Sequence, residues 1–363
     1  MKRFVFPLLL LLPALTGCQT LGYYTQAISG QCQILHRQRA IASLLEDPVT
    51  PESLKQRLRF VLEVRAFAQQ ELDLPADGHY LQYANLGRGF AVWNVHAAPE
   101  FSLAPKSWWY PVVGRLDYRG YFSEQRARRY AASLEKQGYD VYVSGVAAYS
   151  TLGWFHDPVL NTFIEQNEMQ LAELLFHELA HQRVFAAGDT DFNEAFATAV
   201  ALEGLRRWTL SRNDPAASQR YQAQLARTEA LLKLVARARA RLTALYAESA
   251  DLHGLPHQSG PSGPSSPAET RRAKQLILEQ LRQDCQQLKT NWDQRQEDDP
   301  WSRQRLNNAQ LNTVESYYSL VPAFRNLLQQ HDGDLKRFYQ AARALAKLKK
   351  EQRHLRLKPA PGG

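Results

Sequence analysis

Leu171-Ala172-Glu173-Leu174-Leu175-Phe176-His177-Glu178-Leu179-Ala180-His181 is an apolar run with four titratable side chains set into it at helical spacing. On a helix, residues four apart lie one turn apart on one face, so both imidazoles can reach a single divalent cation. Glu178 projects beside them, where a carboxylate can take a proton from a water at the metal. The H-E-x-x-H spacing predicts a helix that offers one Zn2+ two ligands, His177 and His181, together with a general base, Glu178. A helix bearing two satisfied surface histidines is the plain alternative.

A zinc site that performs chemistry needs a third protein ligand and an open fourth position. Downstream, Asn193-Glu194-Ala195-Phe196-Ala197 opens the next helical segment, and Gly188-Asp189-Thr190-Asp191 lets the chain reverse between the two. A second helix running back beside the first would turn Glu194 toward the imidazoles. Glu203 competes, but it stands about half a helical rotation away, so only one of the two can face the cation. Glu194 is the expected ligand, and Glu203 a structural or outer group.

Asn-Glu-x-Phe-Ala is similar to the pattern of aminopeptidase N and its gluzincin relatives, where that Glu is the third zinc ligand. Other stretches carry a wider likeness: Tyr118-Arg119-Gly120-Tyr121-Phe122, Ala148 to Phe155, Asp157-Pro158 and Asn307-Asn308-Ala309-Gln310-Leu311. Together with the zinc motifs they resemble a bacterial family of predicted zinc aminopeptidases over essentially the whole chain after its leader. The resemblance implies one zinc per chain and a peptide substrate. Gluzincins commonly take their oxyanion donor, a Tyr or His, from the C-terminal helical part. Tyr317 and Tyr318 are the candidates here; they point about 100° apart on a helix, so at most one reaches the site.

Ala148 to Phe155 precedes the zinc helix and could supply an edge strand for an extended peptide. Ser150 and Thr151 would then lie beside substrate, and Gly153 would permit close approach. A buried strand and turn is the simpler reading. Exopeptidase action also requires a carboxylate for the free α-amine. The Gly-x-Met-Glu-Asn sequence of aminopeptidase N is absent, which leaves Asp157 and Glu173, the latter one turn before His177 on the same face. Either could instead orient an imidazole, and Asp157 could be a turn residue before Pro158. A zinc endopeptidase or a cell-wall stem-peptide hydrolase would use the same ligands. A non-catalytic lipoprotein with structural zinc would need a fourth ligand, for which His156 is the residue to check.

Met1-Lys2-Arg3 is a short basic segment, and Phe4 to Leu12 is an apolar one too short to span a bilayer. They lead to Leu15-Thr16-Gly17-Cys18, which resembles a bacterial lipobox. Residues 1–17 therefore read as a lipoprotein signal peptide and Cys18 as the lipidated first residue of the mature chain. Gln19 is not the Asp that directs inner-membrane retention, so an outer-membrane anchor facing the periplasm is expected. The net charge of +8 falls by two with Lys2 and Arg3. Such a mildly basic envelope protein suits anionic lipid heads or an acidic wall polymer, and dispersed basic helix faces explain the charge equally well. No RNA- or DNA-binding pattern is present, so nucleic acid is not an expected partner. Cys32 and Cys285 remain in an oxidising compartment where they can pair. Cys285, in line with Ile277, Leu281, Leu288 and Trp292, reads equally as a buried thiol.

Residues 33–73 read as two helical segments parted by Asp47-Pro48 and Pro51. From Tyr80 to Tyr121, short aromatic and β-branched runs divided by Gly and Pro read as strands. Ser123 to Gln137 is then a capped helix ended by Gly138, and Asp140 to Tyr149 a further strand. Helices follow over 163–186, 191–210, 216–251 and 269–296. The last two flank a Gly/Pro/Ser-rich stretch at 254–267 and suggest an antiparallel hairpin around a flexible loop, with a coiled-coil partner surface as the functional alternative. The expected fold is α+β and predominantly helical: a small mixed or antiparallel sheet packed on a zincin-type helical part with long C-terminal helices. Its expected parts are 18–210, holding the sheet and the zinc-binding helices, a helical 211–350, and a solvated basic tail at 351–363.

Overall fold

Strand period two sets the first layer. In β3 (Val92–Pro99), Trp93, Val95 and Ala97 point to one face while Asn94 and His96 point to the other. β7 (Tyr139–Val146) repeats this, with Val141 and Val143 opposed to Tyr142 and Ser144. β3 pairs antiparallel with β7 and with β6 (Arg119–Tyr121), giving the order β6-β3-β7. The apolar face packs under α4 (Glu124–Glu135), whose Ala127, Ala131 and Leu134 join Trp93, Val95 and Ala97 in one cluster. Ser123 caps α4 by accepting from the Arg126 amide, and Gly138, at φ +85°, turns the chain into β7.

The computed structural model describes residues 17–111, 114–148, 156–251, 266–290, 305–318 and 320–357, with the side chains at 17–19, 250–251 and 315–318 outside that description. Its main core is helical. α5 (Glu168–Arg183) and α6 (Thr190–Ser211) run side by side, backed by α3 (Glu52–Glu71), α10 (Val321–Gln330) and α11 (Leu335–Ala346). Phe176 of α5, Phe192 and Phe196 of α6, Phe324, Phe338 and Tyr339 are all fully buried there. Gly204 lets the helices approach: a Cβ at that position would stand 2.8 Å from Phe176 and from Leu72. A second cluster joins α7 (Pro215–Asp251) to α8 (Pro267–Thr290) through Val235, Leu242, Ile277 and Leu281. This is the expected hairpin; its 252–265 connection lies outside the described residues.

α9 (Asn308–Tyr318) ties the two parts together at its first turn. Asn308 is fully buried and gives its amide hydrogens to the carbonyls of Pro99, Glu100 and Ser102 at 3.0–3.2 Å. Its backbone N–H donates to Asp140, and Tyr246 of α7 donates to its side-chain oxygen. Asn307 meanwhile donates to the Val141 carbonyl. The Asn307-Asn308 pair thus pins α9 beside the ends of β3 and β7.

Four expectations need correction. The N-terminal helical region is longer and broken by a strand: α1 (Gly17–His36) precedes β1 (Gln38–Ala40), then α2 (Ile41–Glu46). β1 pairs with β2 (Gln82–Ala84), which pairs in parallel with β8 (Val159–Leu160). The helix that carries H-E-x-x-H starts at Glu168 and not near 163, because Asn167 caps it by accepting from the Gln170 amide at 3.0 Å. The basic tail is not solvated throughout: 350–357 form α12 (Lys350–Leu357), with Arg353 and Leu357 buried, whereas 358–363 lie outside the described residues. The Cys32–Cys285 bridge is not formed; Cys32 is an exposed thiol on α1 and Cys285 packs into the α7–α8 cluster, where burial pushes its pKa up to about 11. A short hairpin of β4 (Trp108–Tyr110) and β5 (Gly114–Leu116) completes the strands among the described residues. No described helix is long and apolar enough to cross a membrane.

Candidate metal centre

The Asn167 cap fixes the rotation of α5, so Leu171, Leu175, Phe176 and Leu179 enter the core. His177, Glu178 and His181 fall at the edge of that buried stripe. The reversing loop after α5 is pinned. Asn193 accepts from the Ala186 amide at 2.7 Å and donates to the Ala186 carbonyl at 2.9 Å. Asp189 caps α6 by accepting from the Phe192 amide, and Gly188 adopts φ +75° in the turn. One turn inside α6, Glu194 therefore meets the histidines.

The three ligand atoms converge. His177 Nε2 and His181 Nε2 are 3.2 Å apart, and Glu194 Oε2 lies 3.3 Å from the first and 3.7 Å from the second. Zinc bonds of about 2.0–2.2 Å at tetrahedral angles separate neighbouring donors by roughly 3.3–3.5 Å, so the triangle fits. The donor chemistry fits too, since two imidazoles and one carboxylate form a known catalytic zinc set. Among the described residues this is the one group of three or more His, Cys, Asp or Glu able to hold a metal ion, and no fourth joins it. His156 is exposed and packs against the His79 ring, so it offers nothing to the triad. A purely structural zinc, which normally takes four protein ligands, is disfavoured.

Electrostatics prepare these groups differently. Burial pushes His181 down to about 4, which keeps it neutral and its nitrogen free to ligate. Burial also opposes charge on His177, but the Glu194 hydrogen bond and the nearby carboxylates raise it above its ordinary value. Glu194 is held below its ordinary value, its two histidines outweighing burial. Burial lifts Glu178 to about 7; His177 opposes the shift, while Glu194 and Asp157 add to it. A carboxyl poised there can both accept and return a proton near neutral pH.

The remaining sequence candidates separate. Glu203 lies well along α6 and binds Arg206 and Arg207 through 2.7 Å contacts, so it is engaged away from the triad. Glu173 sits one turn before His177 and accepts from Gln224 at 3.3 Å. Asp157 is buried; its carbonyl accepts from the Tyr80 amide at 2.8 Å and its own amide donates to His79 Nδ1 at 3.2 Å. Ser150, Thr151 and Gly153 lie outside the described residues. So do the side chains of Tyr317 and Tyr318, which end α9, and of Cys18 in α1.

Two features escaped the sequence reading. Tyr80 is buried with φ +57°, a left-handed conformation that costs a non-glycine residue about 1–3 kcal/mol and that clusters at functional sites. Burial first, then the Glu178 and Asp157 charges, hold its hydroxyl protonated. Nothing in the sequence marks that backbone. The second is a cleft of about 410 Å3 against the polar face of the β3–β7 sheet, with Glu194 in its wall. Alternation in Trp93-Asn94-Val95-His96 was its one visible signal.

A family model described as "Putative aminopeptidase" matches residues 22–357, and the chain belongs to that family. No curated protein and no solved structure matches it.

Proposed function

On the premise of that membership, we propose that this chain is a zinc metallopeptidase that cleaves residues from the N-terminus of peptides, held in the bacterial envelope by a lipid on Cys18. One observation carries the reading: two imidazole nitrogens and a carboxylate oxygen converge at zinc-ligand spacing next to a partly buried carboxyl poised near neutrality. Zinc bound there would polarise the scissile carbonyl and lower the pKa of a water toward neutrality. His177, His181 and Glu194 hold the ion, and three protein ligands leave room for substrate. Glu178 accepts the proton from the attacking water and returns it to the leaving amine nitrogen.

The test is zinc content and peptide hydrolysis of the purified chain and of Glu178→Gln. The variant is expected to keep one zinc per chain and to lose turnover by at least the factor of about 10²–10⁴ typical of a general base. Unchanged turnover in Glu178→Gln, or a wild-type chain that binds no zinc, overturns the proposal.

A further inference from the structure

The polar face of the β3–β7 sheet does not look onto open solvent. Residues of α9 and α6 wall it in, and the resulting cleft includes Glu194, so an occupant abuts the metal centre. Two polar atoms in that wall are buried without a hydrogen-bond partner among the described residues: Thr190 Oγ1 and Asn312 Nδ2. Their residues are only 7% and 8% exposed. Native proteins seldom leave buried donors unmet, so each of these groups calls for a partner, such as a water, an ion or a ligand. The amide of Asn312 cannot simply flip, because Arg239 donates to its Oδ1 at 2.7 Å and fixes which end is the donor.

Asp117 and Glu194 line the cleft, and among the described residues no Lys or Arg does. His96 in the same wall is neutral, since burial pushes it down to about 4. Asp117 is half-buried and has no ion pair among the described residues. Lys350, the cation whose field reaches it, is shared between Asp189 and Asp191 at 3.6 and 4.0 Å. Burial first, then the Asp191 charge, lifts Asp117 to about 6, a shift that a cation seated beside it in the cleft would oppose.

We infer that this cleft is the subsite for the N-terminal end of a peptide, with Asn312 Nδ2 donating to a backbone carbonyl and Asp117 accepting the terminal ammonium. The inference rests on the metallopeptidase reading and adds to it the residues that hold the free amine. With Glu194 committed to the metal, Asp117 is the carboxylate left in the cleft lining, and it attracts an ammonium and repels a C-terminal carboxylate. The volume falls within the roughly 300–1,000 Å3 of small-ligand sites, which suits a short peptide end.

The zinc-loaded full chain is assayed on a peptide beginning with Leu, on its N-acetylated form, and on an acetylated peptide beginning with Lys. Wild type should favour the free Leu peptide by at least tenfold in kcat/KM. Asp117→Asn should cut that ratio about tenfold through KM with zinc content unchanged, and Asn312→Ala should raise KM on the free peptide. Equal cleavage of free and acetylated peptides, an unaltered ratio in Asp117→Asn, or preference for the acetylated Lys peptide overturns the inference. A second measurement avoids dependence on turnover and on that variant: leucinamide should bind zinc-loaded Glu178→Gln at least tenfold more tightly than N-acetyl-leucinamide, and equal affinities overturn the assignment. Absence of all peptide cleavage would instead be a failure of the metallopeptidase reading, with the binding comparison still deciding the amine subsite.

Discussion

A buried carboxylate, Asp189, and a largely buried one, Glu194, stand five residues apart at the start of α6, and their surroundings are opposite. Asp189 is saturated: Arg353 donates to it, His354 Nε2 lies 2.9 and 3.0 Å from its two oxygens, and Lys350 is 3.6 Å away. Among the described residues, Glu194 has two imidazoles, one of them neutral, arranged around a point that none of the three occupies. Burying a carboxylate is costly unless cations or donors compensate it. Asp189 receives that compensation from α12, whereas Glu194 belongs to a His-His-Glu group that could hold a metal ion. The difference distinguishes a clamp from a ligand on one helix, within a turn and a half.

The comparison breaks first if Asp189 proves dispensable. Asp189→Asn keeps the shape but leaves Arg353, itself buried, without its anion. Removing one partner of a buried pair costs about 3–5 kcal/mol, so denaturant unfolding should show a loss of that size with zinc affinity little changed. The acid dependence has a definite sign. Burial tends to raise the Asp189 pKa, but bonds from His354 and Arg353 and the Lys350 charge outweigh it and hold the folded value below the ordinary one. Its stabilisation is therefore complete above the unfolded carboxyl range near 4, and is lost as pH falls through the folded value. Unfolding curves of wild type and variant should converge on acidification below about pH 4. Parallel curves down to acid unfolding would show that the clamp is not Asp189.

Glu194 should fail in the complementary way. Glu194→Ala removes a ligand, and its zinc affinity should fall by more than the 10–100-fold expected from losing an outer-shell partner. The metal-free protein should be no less stable than metal-free wild type, because an incompletely compensated buried charge has gone. Metal titration combined with thermal melting of both apo forms checks this. Full zinc retention would remove Glu194 from the ligand set, and a large loss of apo stability would make it a second clamp.

How far the sequence could be read follows the same division. The ligand set was legible because helical spacing is local: His177 and His181 share a face by arithmetic, and Glu194 follows from one chain reversal. Asn193 stood in the same motif, yet its role in clamping Ala186 depends on a backbone amide and carbonyl exposed only once α5 has ended. The Asp189 clamp was invisible because its partners come from 350–354, far along the chain, where basic residues read as solvated. Asn308 is similar: its quotation within Asn307-Asn308-Ala309-Gln310-Leu311 carried resemblance, but not the bonds to Pro99, Glu100 and Ser102. Strand alternation showed which face of β3 is polar, but not that α9 and α6 enclose it.

Glu203 gives the smallest and most discriminating effect, because it is a third carboxylate on α6 and the alternative ligand by composition. Its oxygens accept from Arg206 and Arg207 at 2.7 Å, and Arg207 also donates to the Gly333 carbonyl at 2.6 Å. Those bonds outweigh burial and hold its pKa below the ordinary value, so it is ionised and engaged. Arg206 is substantially exposed, and neither guanidinium is deeply buried, which places the network nearer surface pairs of about 0–1 kcal/mol than buried ones. Glu203→Gln should therefore shift unfolding by no more than about 1 kcal/mol and leave zinc stoichiometry and affinity where they were. Loss of zinc in that variant would transfer the ligand role from Glu194 to Glu203, and undo the contrast between Glu194 and Asp189.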